Sequence, residues 1–294
     1  MEKAVYHLPG LFEFYDFYRK FLPIYRENTE YFYDWCQIGS LYGAPADCLW
    51  AGGRVSTGNA DPRQVLALTE EYGLSARLTF SNSLLRPEHL KDPKCNRLCA
   101  LFGAEPGNGV IVHSELLLDY LKEKYPNFYF VSSTTKVLTD FEDLAAETER
   151  PDFRYVVPDF RLNKAFDRLA GLKEKRKVEF LCNECCWPGC RERKECYENV
   201  SRKNLGEHCP DHICAAPEGE KGYRFSAAMK NPAFIGIRDI RETYLPMGFS
   251  QFKIEGRGLG SAMLLEFILY YLTKPEYQLP LREEMYLDSM LDLF

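Results

Sequence analysis

The sequence predicts an α/β protein built as a (β/α)8 TIM-like barrel, closed or incomplete, with a Cys-rich insertion after its sixth strand. Three observations carry the prediction. Short apolar runs recur eight times, and most are followed by a helical segment. Each run ends on polar residues, among them Asn82, His113, Thr134, Asp159, Asn183, Glu184, Glu255 and Arg257, and in such barrels that face holds the site. The alternative, an open doubly wound sheet, has no motif behind it, because Gly52-Gly53 does not form a dinucleotide fingerprint.

The elements follow in order. Residues His7 to Tyr33 are dense in aromatics at helical spacing, interrupted by Pro23, and read as an N-terminal helical segment over 1–34. The barrel is expected over 35–278. Its strands are Trp35–Tyr42, Ala76–Phe80, Gly109–Val112, Phe128–Val131, Tyr155–Val157, Val178–Leu181, a short seventh at Arg224–Ala227, and Phe252–Ile254. Asp61 caps a helix that runs through Tyr72. Further helices are expected at Glu115–Tyr125, Phe141–Glu149, Lys164–Leu172, Ile235–Tyr244 and Gly260–Leu272, with Leu84–Phe102 helical or irregular. Residues 279–294 read as an exposed tail in which acidic residues alternate with Met and Leu.

Seven of the eleven cysteines fall between Lys177 and Cys214: Cys182, Cys185, Cys186, Cys190, Cys196, Cys209 and Cys214. Buried free thiols explain one or two cysteines well, but not seven within forty residues among Asn183, Glu184, Arg191, Glu192 and Arg193. A disulfide framework belongs to small secreted domains. A strand that delivers thiolates into a Trp187-Pro188-Gly189 turn suits a soft metal or an iron–sulfur cluster. The set most consistent with four ligands is Cys186, Cys190, Cys209 and Cys214, with Cys185 or Cys182 as alternates. The spacing leaves zinc and iron–sulfur both open, since neither two C-x2-C pairs nor a ferredoxin run is present. Cys36 and Cys48 read as buried thiols. Cys95 and Cys99, one helical turn apart, lack two further ligands for a second metal.

Net charge is −6 over 294 residues, so a general nucleic-acid footprint is not expected, though an RNA partner stays open. No run reaches the length of a membrane span, and the start carries no secretory core. A cytoplasmic protein is the expectation. His113, Asp159 and Glu255 are the candidate proton carriers. Arg54, Arg161 and Arg257, with Asn82 and Asn183, are the candidate substrate contacts, because guanidinium groups grip carboxylates in two-pronged fashion. The competing reading of the Asp159–Arg161 and Glu255–Arg257 pairs is internal ion pairing that fixes loops. No Ser-His-Asp or H-E-x-x-H pattern supports a hydrolase.

Two motifs resemble peptidase family U32, the collagenase-like proteins. One is Phe252-Lys253-Ile254-Glu255-Gly256-Arg257, similar to the family's K-I-E-G-R signature. The other runs from Glu179 to Cys190 and on through Arg191–Lys194. Tyr42-Gly43 followed by Gly52-Gly53-Arg54 is similar to the family's first strand and loop. The cysteine spacing departs from the better-known members, and Cys182, Cys185 and Cys196 look additional. The resemblance implies a 4Fe-4S cluster on four cysteines in an incomplete barrel, carried over onto Cys186, Cys190, Cys209 and Cys214. It implies oxygen-independent hydroxylation of a metabolite or RNA base, with prephenate as a small-molecule partner and a sister subunit or second copy alongside. The alternatives are a zinc-stabilised scaffold and a U32-type peptidase.

Overall fold

A computed structural model describes residues 2–53, 58–217, 219, 224–256 and 258–290. Eight parallel strands lie in one sheet: β1 (Ala4–Pro9), β2 (Cys36–Gly43), β3 (Ser75–Phe80), β4 (Gly109–Val112), β5 (Tyr129–Ser132), β6 (Phe153–Val156), β7 (Glu179–Leu181) and β8 (Gln251–Lys253). Their spatial order is β6-β5-β4-β3-β2-β1-β8-β7. A single parallel bridge, Val156 to Val178, joins the two ends. The result is an eight-stranded α/β barrel whose last seam is barely stitched.

The helices between strands are α1 (Tyr15–Glu27), α2 (Pro62–Glu71), α3 (Pro93–Phe102), α4 (Glu115–Lys124), α5 (Phe141–Glu149), α6 (Phe166–Leu169), α7 (Arg193–Asn204), α8 (Phe225–Lys230) and α9 (Ile237–Asp239), the last running into a π-helical turn over Ile240–Tyr244. α10 (Ser261–Tyr271) and α11 (Gln278–Met290) follow β8. Side-chain oxygens start four of them: Asp61, Asp92, Ser114 and Asp140 accept backbone N–H groups of the first turn, satisfying donors that a helix leaves open. The main core lies between strands and helices. A smaller apolar cluster of Tyr42, Ile111, Val131 and Val157 fills part of the barrel interior.

Three sequence expectations change. The first strand begins at Ala4, inside the segment read as helical. Ala4, Tyr6 and Leu8 enter the outer core and His7 turns inward, so both faces are buried and no polar alternation marks the strand. Gly10, at φ +84°, turns the chain from β1 toward α1, and α1 runs on through Pro23. Arg224–Ala227 is not a strand. It opens α8, whose Ser-Ala-Ala-Met-Lys stretch favours helix. The Cys-rich insertion therefore follows the seventh strand, not the sixth. The tail is the third change: α11 buries Leu281 and Met285 and packs against α10 and α1, with Arg282 held on Glu266 at 2.9 Å.

Candidate active site

The barrel interior holds a buried charge network. Arg77, on β3, donates to Glu179 Oε2 at 2.5 Å and, through Nε, to the Tyr129 hydroxyl at 2.8 Å. Lys253 Nζ lies 3.5 Å from Glu179 Oε1 and 3.8 Å above the centre of the Tyr42 ring. His7 bridges Ser40 at 2.8 Å and Gln251 at 3.1 Å. Arg77, Glu179, Lys253 and His7 are each at most 4% exposed. Burial alone would raise the Glu179 carboxyl, but Arg77, His7 and Lys253 outweigh it and hold it at about 2. Burial, reinforced by Arg77, pushes His7 down to about 3, so its ring is neutral at neutral pH.

Above this network, at the C-terminal ends of the strands, lies a cavity of about 40 Å³, room for a few water molecules. Tyr42, Thr79, Ser81, Ser133, Lys253 and Glu255 form much of its wall. Gly52 and Gly53 close one side. The chain passes so near β3 there that a Cβ on Gly52 would meet the Ser81 carbonyl at 2.3 Å. Tyr197, from α7, closes the top.

A chain of hydroxyls runs along the wall. Thr135 Oγ1 donates to Ser133 Oγ at 2.9 Å, and Ser133 Oγ donates to Ser81 Oγ at 2.9 Å. Ser81 Oγ in turn donates to the Ile111 carbonyl at 3.3 Å. His113 Nδ1 meets Thr135 Oγ1 at 2.8 Å. Since each hydroxyl passes its proton onward, Nδ1–H of His113 is the donor into the chain, which leaves Nε2 as the basic nitrogen. Burial, with Lys136 and Lys194 nearby, lowers His113 to about 4. The hydroxyls of Thr79 and Thr134 are buried without a hydrogen-bond partner.

Of the expected site residues, Glu255 is on the cavity wall and His113 reaches it through Thr135. Asn183 holds Glu255 in place by a two-way backbone clamp, donating to Glu255 O at 2.9 Å and accepting from Glu255 N at 2.7 Å. Asp159 and Arg161 lie off the wall. Asp159, fully buried, accepts from Arg161 Nε at 2.6 Å and faces Arg193 Nε at 3.4 Å, while Arg161 donates to the Cys190 carbonyl at 2.8 Å. That is an ion-pair knot seating the Cys-rich segment. Asn82 is likewise tied, donating to Leu49 O and Ser201 O, each at 3.1 Å. Arg54 and Arg257 lie outside the described residues. Lys253, Tyr42, Thr79, Ser81 and Tyr197 were not singled out from sequence. For Lys253 the signal was present: it stands two residues before Glu255, and side chains two apart share one face of a strand.

The expected metal ligands are spread out. Among the described residues no three Cys, His, Asp or Glu side chains gather as a metal site. Cys182 is fully buried and its thiol points to Phe180 O at 3.6 Å. Cys186 has Cys190 for a neighbour, and burial pushes its thiol up to about 11. Cys209 instead meets α7 at Asn199, at 3.6 Å, roughly 9 Å of helical rise beyond the helix start. Cys214 is exposed.

Comparison with known proteins bears on the fold. No family model and no curated protein matches the chain. A solved structure, that of the U32 peptidase Mk0906, is similar at a TM-score of 0.54 and 14% identity, covering 86% of this chain and 92% of that one. The chain shares its fold with that structure. The family resemblance read from the K-I-E-G-R-like motif and the Cys-rich segment holds at that level. Within this barrel, Lys253 and Glu255 are the described residues of the motif that line the cavity. Among the described residues no helix is long and apolar enough to cross a membrane.

Proposed function

We propose that the barrel is an enzyme that holds a small carboxylate-bearing substrate, aliphatic or aromatic, in the cavity below Tyr197. The supporting observation is the pairing of a buried ammonium, Lys253, with the partnerless hydroxyls of Thr79 and Thr134 on one cavity wall. A carboxylate accepts from both hydroxyls and meets the positive field of Lys253, and a buried hydroxyl left without a partner is costly. Glu255, on the cavity wall, moves protons at the bound group, and His113 orients the hydroxyl chain of Thr135, Ser133 and Ser81 beside it. The cavity accepts the acid head as it stands; a larger body enters by displacing Tyr197.

Binding tests this. Benzoate, phenylpyruvate and prephenate are titrated calorimetrically beside benzamide as the uncharged control. At least one acid binds, and Lys253→Met weakens it by at least tenfold. Equal binding of the amide, or no effect of Lys253→Met, sinks the reading.

A peptidase would use Thr135 as nucleophile beside His113. Thr135 is 2% exposed and donates its proton to Ser133 Oγ rather than to His113, which disfavours that role.

An oxygen-independent hydroxylation would draw its redox chemistry from a 4Fe-4S cluster, and a scaffold would use zinc. Among the described residues Cys186, Cys190, Cys209 and Cys214 are not gathered as a metal site, so no step is routed through a metal. Metal analysis after anaerobic purification reads this directly. About four irons and four sulfides per chain would support the cluster reading, and one zinc per chain the scaffold.

A further inference from the structure

A pair of thiols lies outside the site already described. Cys48 sits on the loop between β2 and α2, and Cys95 in the first turn of α3. Their sulfurs are 3.2 Å apart, and both residues are buried. Their positions are fixed from several sides. The Cys95 N–H donates to Asp92 Oδ1 at 2.7 Å. The Cys48 carbonyl accepts from Ala51 N at 2.9 Å, and Lys94 Nζ donates to Ala46 O at 2.5 Å, lacing the same loop to α3. Trp50, fully buried, donates to His89 O at 2.8 Å. Two residues further along, Gly52 and Gly53 form the cavity wall.

We propose that Cys48 and Cys95 are a redox site, converted to a disulfide by exchange with a low-molecular-weight disulfide. A disulfide needs the sulfurs at about 2.05 Å, so closure requires a shift of roughly 1 Å, shared between a loop residue and a helix residue. The exchange balances without a further oxidant. Cys48 sulfur attacks the small disulfide and one small thiol leaves. Cys95 sulfur then displaces the second small thiol from Cys48. The two protein protons end on the two released thiols, the small disulfide is reduced, and the protein pair is oxidised. Cys48 lies on a loop and Cys95 in a helix, so Cys48 is the first to attack, as the loop opens. The product locks the loop that carries the cavity wall onto α3.

The test treats the full chain with excess oxidised glutathione for hours. Remaining thiols are alkylated after denaturation, and the chain is digested without reduction for mass spectrometry. The expected result is a joined peptide pair containing Cys48 and Cys95. In Cys95→Ala, Cys48 is expected to stop at the glutathione adduct. Since Cys95 is buried, Cys95→Ser provides a second variant in case the first fails to fold. Alkylation of both Cys48 and Cys95 after treatment overturns the proposal. So does a bond from Cys48 to Cys99 or to any cysteine of the 182–214 segment.

Discussion

Glu179→Gln is expected to lower folding stability by about 3–5 kcal/mol, the range found when one partner of a buried ion pair is removed. Glu179 is the carboxylate between Arg77 at 2.5 Å and Lys253 at 3.5 Å. None of the three reaches solvent to any extent. An amide keeps the volume and one acceptor, so packing is nearly unchanged. What is lost is the negative charge that two buried cations share. Tyr129 and Tyr155 beneath Arg77, and Tyr42 beneath Lys253, offer π-faces worth only a fraction of that. Urea denaturation reads the effect as a lower midpoint at an unchanged slope. The double variant Arg77→Met with Glu179→Gln should recover part of the loss, because the uncompensated guanidinium goes too. A loss below about 1 kcal/mol would mean that water enters the barrel and screens the network.

Acid should unfold the protein earlier than its carboxylates alone require. His7 is held at about 3 in the folded state against 6.5 for the free side chain. Between those values the unfolded chain binds a proton there and the folded chain does not. Stability therefore falls as pH drops from 6.5 toward 3, at up to about 1.4 kcal/mol per pH unit. Glu179, lowered to about 2 from 4.5, is also less protonated when folded, and its share is lost as pH falls from 4.5 toward 2. His113, at about 4, acts in the same direction as His7 but is partly open to solvent, so its share is smaller. The groups facing His7 are Arg77, Lys253, Glu179, Ser40, Gln251 and the Tyr155 ring. Two of them are cations and oppose a charged imidazole. Urea midpoints at pH 7.5 and 5.0 check the expectation, with a difference of roughly 2 kcal/mol from His7. His7→Gln should remove most of it. A flat profile over that range would show that His7 titrates normally.

The strands from β3 to β6 were legible because each is a short apolar run closed by polar residues, and the helices after β2 to β5 start on the oxygen-bearing caps Asp61, Asp92, Ser114 and Asp140. β1 was not legible. Its neighbours on both sides bury it, so the alternation that usually marks a strand is missing, and the aromatics of α1 dominate that part of the chain. The site was legible in part. The strand-end rule pointed to Glu255 and His113, but it cannot tell a residue facing the cavity from one knotted into the loops, as Asp159, Asn82 and Asn183 are. Lys253 lay inside a motif already noticed and lacked a partner in the sequence to explain it: its partner, Glu179, is on the neighbouring strand.

The place of β1 between β2 and β8 has a consequence for how the chain reaches its fold. His7 is hydrogen-bonded to Gln251, 244 residues away, so the barrel cannot be sealed until almost all of it has emerged from the ribosome. Until then β1 presents one edge of bare amides and carbonyls, the kind of surface on which strands from other chains nucleate. Such long-range closure makes folding slow. A nascent chain interrupted before Gln251 is accordingly a stronger hazard for aggregation than one cut within the first helices, which has little sheet to expose.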